Sequence, residues 1–281
     1  MNRTNLIIFV LVLVVGAFGL NMYFQSKPTQ EQITQNVIPV LPPEPIKKPI
    51  VHYPVLEPKE EPVSPAVTEE APEVQAVAPQ LPEALPPVQK SDQSIKTALN
   101  GLFGKDNLNK LFFNENFIQK FVATVDNLPE KKLPRALLPI KAPEGKFLVS
   151  GTQEAPQTSS RNEQRYSAIL HSLEAIDAEQ AIKTYTYFYP LFQTAYEQLG
   201  YKNAYFNDRL VYVIDHLIET PNPPDPIQLA QPAVLYTYAD LGLENRSAGQ
   251  KILLRLGQEQ RTRMLKLLNS YRQKLTNLHP E

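Results

Sequence analysis

The stretch Phe206-Asn207-Asp208-Arg209-Leu210-Val211-Tyr212-Val213-Ile214-Asp215-His216-Leu217-Ile218-Glu219 decides the fold class. Phe206, Leu210, Val213, Ile214 and Leu217 recur at the three-and-four spacing that aligns them on one helical face. Asp208, Tyr212, Asp215 and Glu219 lie almost opposite. The run predicts an amphipathic helix, over Asn203–Glu219, with one face in a core.

The same period extends to both sides. Towards the N-terminus, Asp92 or Ser94 can cap a helix carrying Ile95, Leu99, Leu102 and Phe103. Asp106 can cap a turn bearing Leu108, Leu111 and Phe112. Asn114 precedes Phe117, Ile118, Phe121, Val122 and Val125, again a helical stripe. From Pro129 to Arg165 the period is lost, and only Lys146–Ser150 reads as extended. Helices resume at Tyr166–Ile176 and at Ala178–Leu199, the latter closed by Gly200 in a C-cap position. Pro190 inside that helix frees the Thr186 carbonyl and predicts a kink rather than a break. Pro232–Asp240, Ser247–Leu256 and Gln258–Leu275 complete the series, and Met264, Leu268, Tyr271 and Leu275 share one face. The expectation is an all-α fold, a single multi-helix globular domain over residues 92–281.

Before that domain the composition changes. Between Pro28 and Lys90 there are 15 prolines and no glycine, with Val and Ala scattered without period. Each proline removes a backbone donor and fixes φ, so neither helix nor sheet periodicity survives. Residues 28–91 are expected to form a disordered, Pro-rich linker biased to polyproline II. Residues 1–27 hold an apolar run from Leu6 to Leu20, which Met22, Tyr23 and Phe24 extend past Asn21. At 1.5 Å rise, Leu6–Phe24 spans roughly 28 Å, close to a hydrocarbon core. Ala17-Phe18-Gly19 also fits the cleavage site of a secretory leader. The apolar run continues beyond it, which favours an uncleaved anchor. Arg3 and the α-amine before the run, against Lys27 after it, place the N-terminus inside. The chain is thus expected in the bacterial inner membrane as a single-pass protein, with its C-terminal domain periplasmic or otherwise extracytoplasmic.

Charge and cysteine usage exclude several functions. The formal net charge of -1 leaves no basic excess for nucleic acid. With no cysteine there is no disulfide, no thiolate metal site and no cysteine nucleophile. His52, His171, His216 and His279 show no metal-ligand spacing, so neither metal nor cofactor is expected. No Gly-x-Ser-x-Gly elbow occurs. Ser247-Ala248-Gly249-Gln250-Lys251 lacks the phosphate-loop pattern and reads as a helix start capped by Ser247.

The candidate binding residues are Tyr189, Tyr196, Asn207, Asp208, Arg209, Asp215 and His216. Three carboxylates on one stripe fit an acid/base pair, a cation site or a solvated face; the solvated face is the default. Asn207 falls on an apolar flank, where it is either an internal strut or an N-cap. Arg209 and His216 form either an anion-binding edge or an ordinary boundary row. Tyr185, Tyr189 and Tyr196 share a helical face, and tyrosine suits interfaces as well as cores. Arg165–Glu244 holds ten acidic and four basic residues, whereas Arg246–Glu281 holds eight basic and two acidic. The C-terminal helices are expected to dock on the acidic middle.

Four runs carry a resemblance: Phe121-Val122-Ala123-Thr124-Val125-Asp126-Asn127-Leu128-Pro129, Tyr205-Phe206-Asn207-Asp208-Arg209-Leu210, Ile214-Asp215-His216-Leu217, and Ser247-Ala248-Gly249-Gln250-Lys251. Together they resemble an uncharacterised bacterial family, domain of unknown function three thousand and fourteen, over roughly Gly104 to Leu275. The resemblance implies an N-terminal anchor and a proline-rich segment, and no reaction. The expected function is a membrane-tethered, non-enzymatic interaction module of the cell envelope, docking a protein or envelope polymer. The alternative is an envelope hydrolase using acidic residues with His216.

Overall fold

The computed structural model describes residues 51–55, 84–104, 108, 115–141 and 146–278. The Leu6–Phe24 run, most of the Pro-rich segment, the Asp106 turn apart from a buried Leu108, and His279 lie outside them. Among the described residues no helix is long and apolar enough to cross a membrane.

The described domain is mostly helical: α1 (Asp92–Phe103), α2 (Phe117–Asn127), α3 (Arg161–Glu174), α4 (Ala178–Gln198), α5 (Phe206–Ile218), α6 (Leu241–Glu244), α7 (Ala248–Arg255) and α8 (Gln258–Thr276). Two small antiparallel hairpins accompany the helices. In one, β1 (Val149–Gly151) pairs with β2 (Pro156–Thr158); in the other, β3 (Leu229–Ala230) pairs with β4 (Thr237–Tyr238). They abut where Gln157 bridges Gln228 and the Thr158 amide donates to the Ile227 carbonyl at 2.9 Å.

Helix α5 is central. It packs most extensively on α8 and also on α2, while α2 packs on α4. Phe206, Leu210, Val213, Ile214 and Leu217, the face expected to be apolar, are all essentially inaccessible. Around Phe206 sits an aromatic cluster, with Phe121, Phe192 and Tyr196 at centroid distances of 5.7–6.0 Å. Such packing is worth about 1 kcal/mol per pair beyond the area it buries. Met264, Leu268, Tyr271 and Leu275 of α8 are buried as their spacing predicts.

Several local expectations shift. Asp92 does not cap its own helix: its carboxylate accepts from the Asn116 and Phe117 amides at 2.8 and 2.9 Å, satisfying the start of α2 instead. Helix α3 begins at Arg161, ahead of the apolar stripe, and its Asn162 side chain bonds both the N–H and the C=O of Leu148. Helix α4, by contrast, keeps to expectation in running through Pro190 without a break. The helix expected over Pro232–Asp240 is absent. Pro232 has no amide to donate, and the Tyr236-Thr237-Tyr238 run favours an extended chain. Tyr238 joins Ile227, Leu229, Leu243 and Leu254 in a small second core.

Ser247 caps α7 as expected, accepting from the Gln250 amide at 3.2 Å. Gly249 is needed there for space. A Cβ on it would lie 2.7 Å from Leu217 Cδ2 and 3.0 Å from the Leu128 carbonyl, to which its own amide donates at 2.9 Å. The basic C-terminal helices do meet the acidic middle. Arg263 pairs with Glu174, Arg272 with Asp215, and Lys251 with Glu244.

Candidate functional site

The first turn of α5 carries the three polar residues that the apolar pattern did not account for. Its N-cap, Tyr205, offers no side-chain cap; the Phe206 amide donates instead to Gln193 Oε1 of α4 at 2.9 Å. Asn207 and Asp208 follow in that first turn, both buried, where the macrodipole favours the Asp208 carboxylate.

What they face is a piece of the Pro-rich segment. The Tyr53 amide donates to Asp208 Oδ1 at 2.7 Å, and the Tyr53 carbonyl accepts from Asn207 Nδ2 at 2.8 Å. His52 Nδ1 lies 2.9 Å from Asp208 Oδ2, and its ring lies 4.0 Å from that of Tyr205. The Tyr53 side chain packs against the main core, and its phenol reaches Arg272, which Asp215 also holds. Two adjacent side chains thus read both backbone polar groups of one residue.

Asn207 continues inward from this contact. Its Oδ1 accepts from the Tyr185 phenol at 3.0 Å, and its Nδ2 also donates to the Leu275 carbonyl at 3.3 Å. Of the two readings open for Asn207, the internal strut holds, since α5 starts at Phe206 and Asn207 caps nothing there. Burial raises the Tyr185 phenol well above its ordinary value, so it stays a neutral donor. Tyr189 lies beside Asp208 and Tyr205 at the rim, half-buried, with its phenol donating to Gln193 Oε1 at 3.2 Å.

The other candidates divide. The solvated-face reading fails at Asp208, which is 5% exposed, and holds at Glu219, which is exposed. The helix wheel gave both the same rank; the difference is the segment at residues 51–55, which covers only one end of the stripe. Arg209 is buried and not part of any open edge: Nε donates to Asp126 Oδ1 at 2.9 Å and an Nη to the Asp126 carbonyl at 2.8 Å. Asp126 also accepts from Tyr201 at 3.1 Å, and burial together with that carboxylate pushes the Tyr201 phenol up to about 12. Tyr196 stacks on Tyr201 inside this knot and is 3% exposed, so it is a core residue rather than a docking surface. Tyr185 is likewise core, and the tyrosine face expected to dock a partner is largely internal.

His216 lies two helix turns beyond Arg209 and does not meet the acidic residues of the stripe in a shared pocket. Its Nε2 is 2.8 Å from Ser247 Oγ, and its carbonyl accepts from Gln250 Nε2 at 3.0 Å. Burial lowers its pKa, so the ring is neutral at neutral pH. A serine beside a histidine has the spacing of a nucleophile and its base. Here, however, Ser247 is 6% exposed and its oxygen already caps α7. The contact clips α5 to α7.

A separate cavity of about 240 Å³ opens between the β1–β2 hairpin, the start of α3 and the α7–α8 junction, next to Glu163, Asp225 and Gly257. Asp225 accepts from the Gln258 amide, so this carboxylate caps α8. None of the sequence-predicted candidates lines it. The residues that sequence reading missed are His52 and Tyr53; the only signal was an aromatic pair interrupting an otherwise aliphatic and acidic Pro-rich run.

The fold and this site define a small helical domain that holds residues 51–55 at a helix start. The chain belongs to the family described as protein of unknown function (DUF3014), whose model matches residues 117–272. That span contains Asn207, Asp208, Asp215 and Arg272, whereas His52 and Tyr53 lie outside it. Neither the curated proteins nor the solved structures give a match.

Proposed function

We propose that this chain is a membrane-tethered, non-enzymatic interaction module of the bacterial cell envelope. Its helical domain docks a protein partner by gripping an extended segment at the first turn of α5. One observation carries the reading: Asn207 and Asp208 satisfy both backbone groups of Tyr53. Main-chain hydrogen bonds supply affinity without regard to side chain, while pockets for neighbouring side chains supply selectivity, as in other modes of extended-peptide recognition. The apolar run Leu6–Leu20, extended past Asn21 to Phe24, supports a single-pass anchor, and the 15 prolines after it support a spacer between membrane and domain. The alternative, a hydrolase built on acidic residues with His216, is disfavoured because Asp208, Asp215 and Glu219 have separate surroundings.

The test is a titration. A fluorescein-labelled peptide of residues 46–57 is added to the full chain in detergent, with residues 51–55 replaced by Gly and Ser. Saturable anisotropy that disappears with Asp208→Ala is expected; a flat titration refutes the peptide-gripping reading. An alkaline phosphatase fusion at the C-terminus, active only outside the cytoplasm, tests the orientation, and an inactive fusion at normal expression overturns it.

A further inference from the structure

The α5 site is already filled by the chain itself. His52 and Tyr53 are bonded to Asp208 and Asn207 although more than 150 positions separate them in sequence. Pro54 follows Tyr53, and a residue before proline is biased to the extended region, where its N–H and C=O point to the same side. The segment therefore enters the site largely pre-ordered, which lowers the entropic cost of docking. It also supplies a side-chain signature: a histidine stacked on Tyr205, then an aromatic residue whose ring meets the core and whose hydroxyl meets Arg272, then a proline.

We infer that residues 51–55 are a cis-acting latch in this peptide site, and that a partner binds by presenting an extended aromatic-proline segment that displaces it. The inference rests on the peptide-gripping function proposed above. Tethering on the same chain gives the latch an effective concentration on the order of millimolar. A competing segment's apparent affinity is therefore scaled down to the fraction of domains that are unlatched. Displacement also changes the connection to the N-terminus. While latched, the path from residue 50 to the domain ends at α5; once released, residues 56–83 are added to it. At about 3.3–3.6 Å per residue that lengthens the maximum reach by about 90–100 Å.

The chain has no cysteine, so Val51→Cys and Gln273→Cys, both at exposed positions, define a clean pair for distance measurement. The full chain in detergent micelles is spin-labelled at these two sites, with and without Tyr53→Pro, which deletes the amide that Asp208 accepts and leaves the helical domain untouched. One short distance is expected for the parent, and a broad, longer distribution for Tyr53→Pro. Excess unlabelled 46–57 peptide should produce the same lengthening in the parent. In anisotropy titrations the peptide should bind Tyr53→Pro about tenfold more tightly than the parent, and Tyr53→Pro/Asp208→Ala not at all.

Equal affinities for the parent and Tyr53→Pro, or an unchanged label distance, overturn the latch while leaving the peptide site standing. Failure of the peptide to bind Tyr53→Pro overturns the site itself. A short distance that vanishes when doubly labelled chains are diluted with unlabelled ones shows exchange between copies, and overturns a latch in cis.

Discussion

Replacing Asn207 with alanine removes a carboxamide that joins three parts of the molecule, and the structure sets the size of the loss. Tyr185 is 1% exposed and its phenol donates to Asn207 Oδ1; without that oxygen the buried hydroxyl loses its acceptor. The Leu275 carbonyl belongs to the last turn of α8, where carbonyls have no partner within the helix, and Asn207 Nδ2 supplies one at 3.3 Å. An orphaned buried group costs about 1–3 kcal/mol, and the longer of these two bonds belongs at the low end of that range. The bond to the Tyr53 carbonyl adds little to global stability, because residues 51–55 can undock and be solvated. Asn207→Ala should therefore cost about 2–4 kcal/mol, read as a lower urea midpoint at unchanged slope by far-UV circular dichroism. Tyr185→Phe should cost about 1 kcal/mol, and the double variant should lose less than the sum, with a coupling of about 1 kcal/mol. A loss below about 0.5 kcal/mol for Asn207→Ala, or strict additivity, would refute the strut.

Three further outcomes follow from the same contacts. Asp208→Ala should leave the urea midpoint within about 1 kcal/mol but abolish hydrogen-exchange protection of the Tyr53 amide, whereas Glu219→Ala should alter neither; protection that survives Asp208→Ala would place the docking energy elsewhere. Arg209→Lys should destabilise the domain by about 3 kcal/mol despite keeping the charge, since an ammonium cannot reach the Asp126 carboxylate and carbonyl together, and a neutral result in urea unfolding would count against that geometry. His216 has its pKa lowered by burial, so the unfolded chain takes up its proton first as pH falls. Stability should then be full above about pH 6.5 and decline below it, and His216→Gln should flatten that decline in thermal unfolding across the range.

Helical period alone placed α2, α4, α5, α7 and α8 within a few residues of their ends, because each buries one face of a three-and-four pattern. The resemblance read from four short runs is likewise realised in the family to which the chain belongs. Local pattern failed where local forces were weak. The Pro232–Asp240 stretch has apolar residues at plausible spacing, yet Val234 is 62% exposed and the chain turns into a hairpin whose Tyr238 fills a second core. Asp92 has a capping chemistry that sequence can recognise, but which helix it caps depends on which amides lie within 3 Å.

The candidate site shows the same division. That Asn207 sits on an apolar flank and must find partners is a property of the helix wheel, legible without coordinates. Which partners it finds is not, because Tyr185, Leu275 and Tyr53 come from three distant parts of the chain. Asp208, Asp215 and Glu219 are equivalent on the wheel, since a wheel knows only angle about one axis. Burial depends on what crosses that axis: residues 51–55 cover Asp208, α8 brings Arg272 to Asp215, and among the described residues nothing covers Glu219. The sequence by itself determined the helices and the demand for polar partners, both of which arise from neighbours a few residues apart. Only the tertiary structure decided which carboxylate became part of a grip, because that choice rests on contacts made across more than 150 residues of chain.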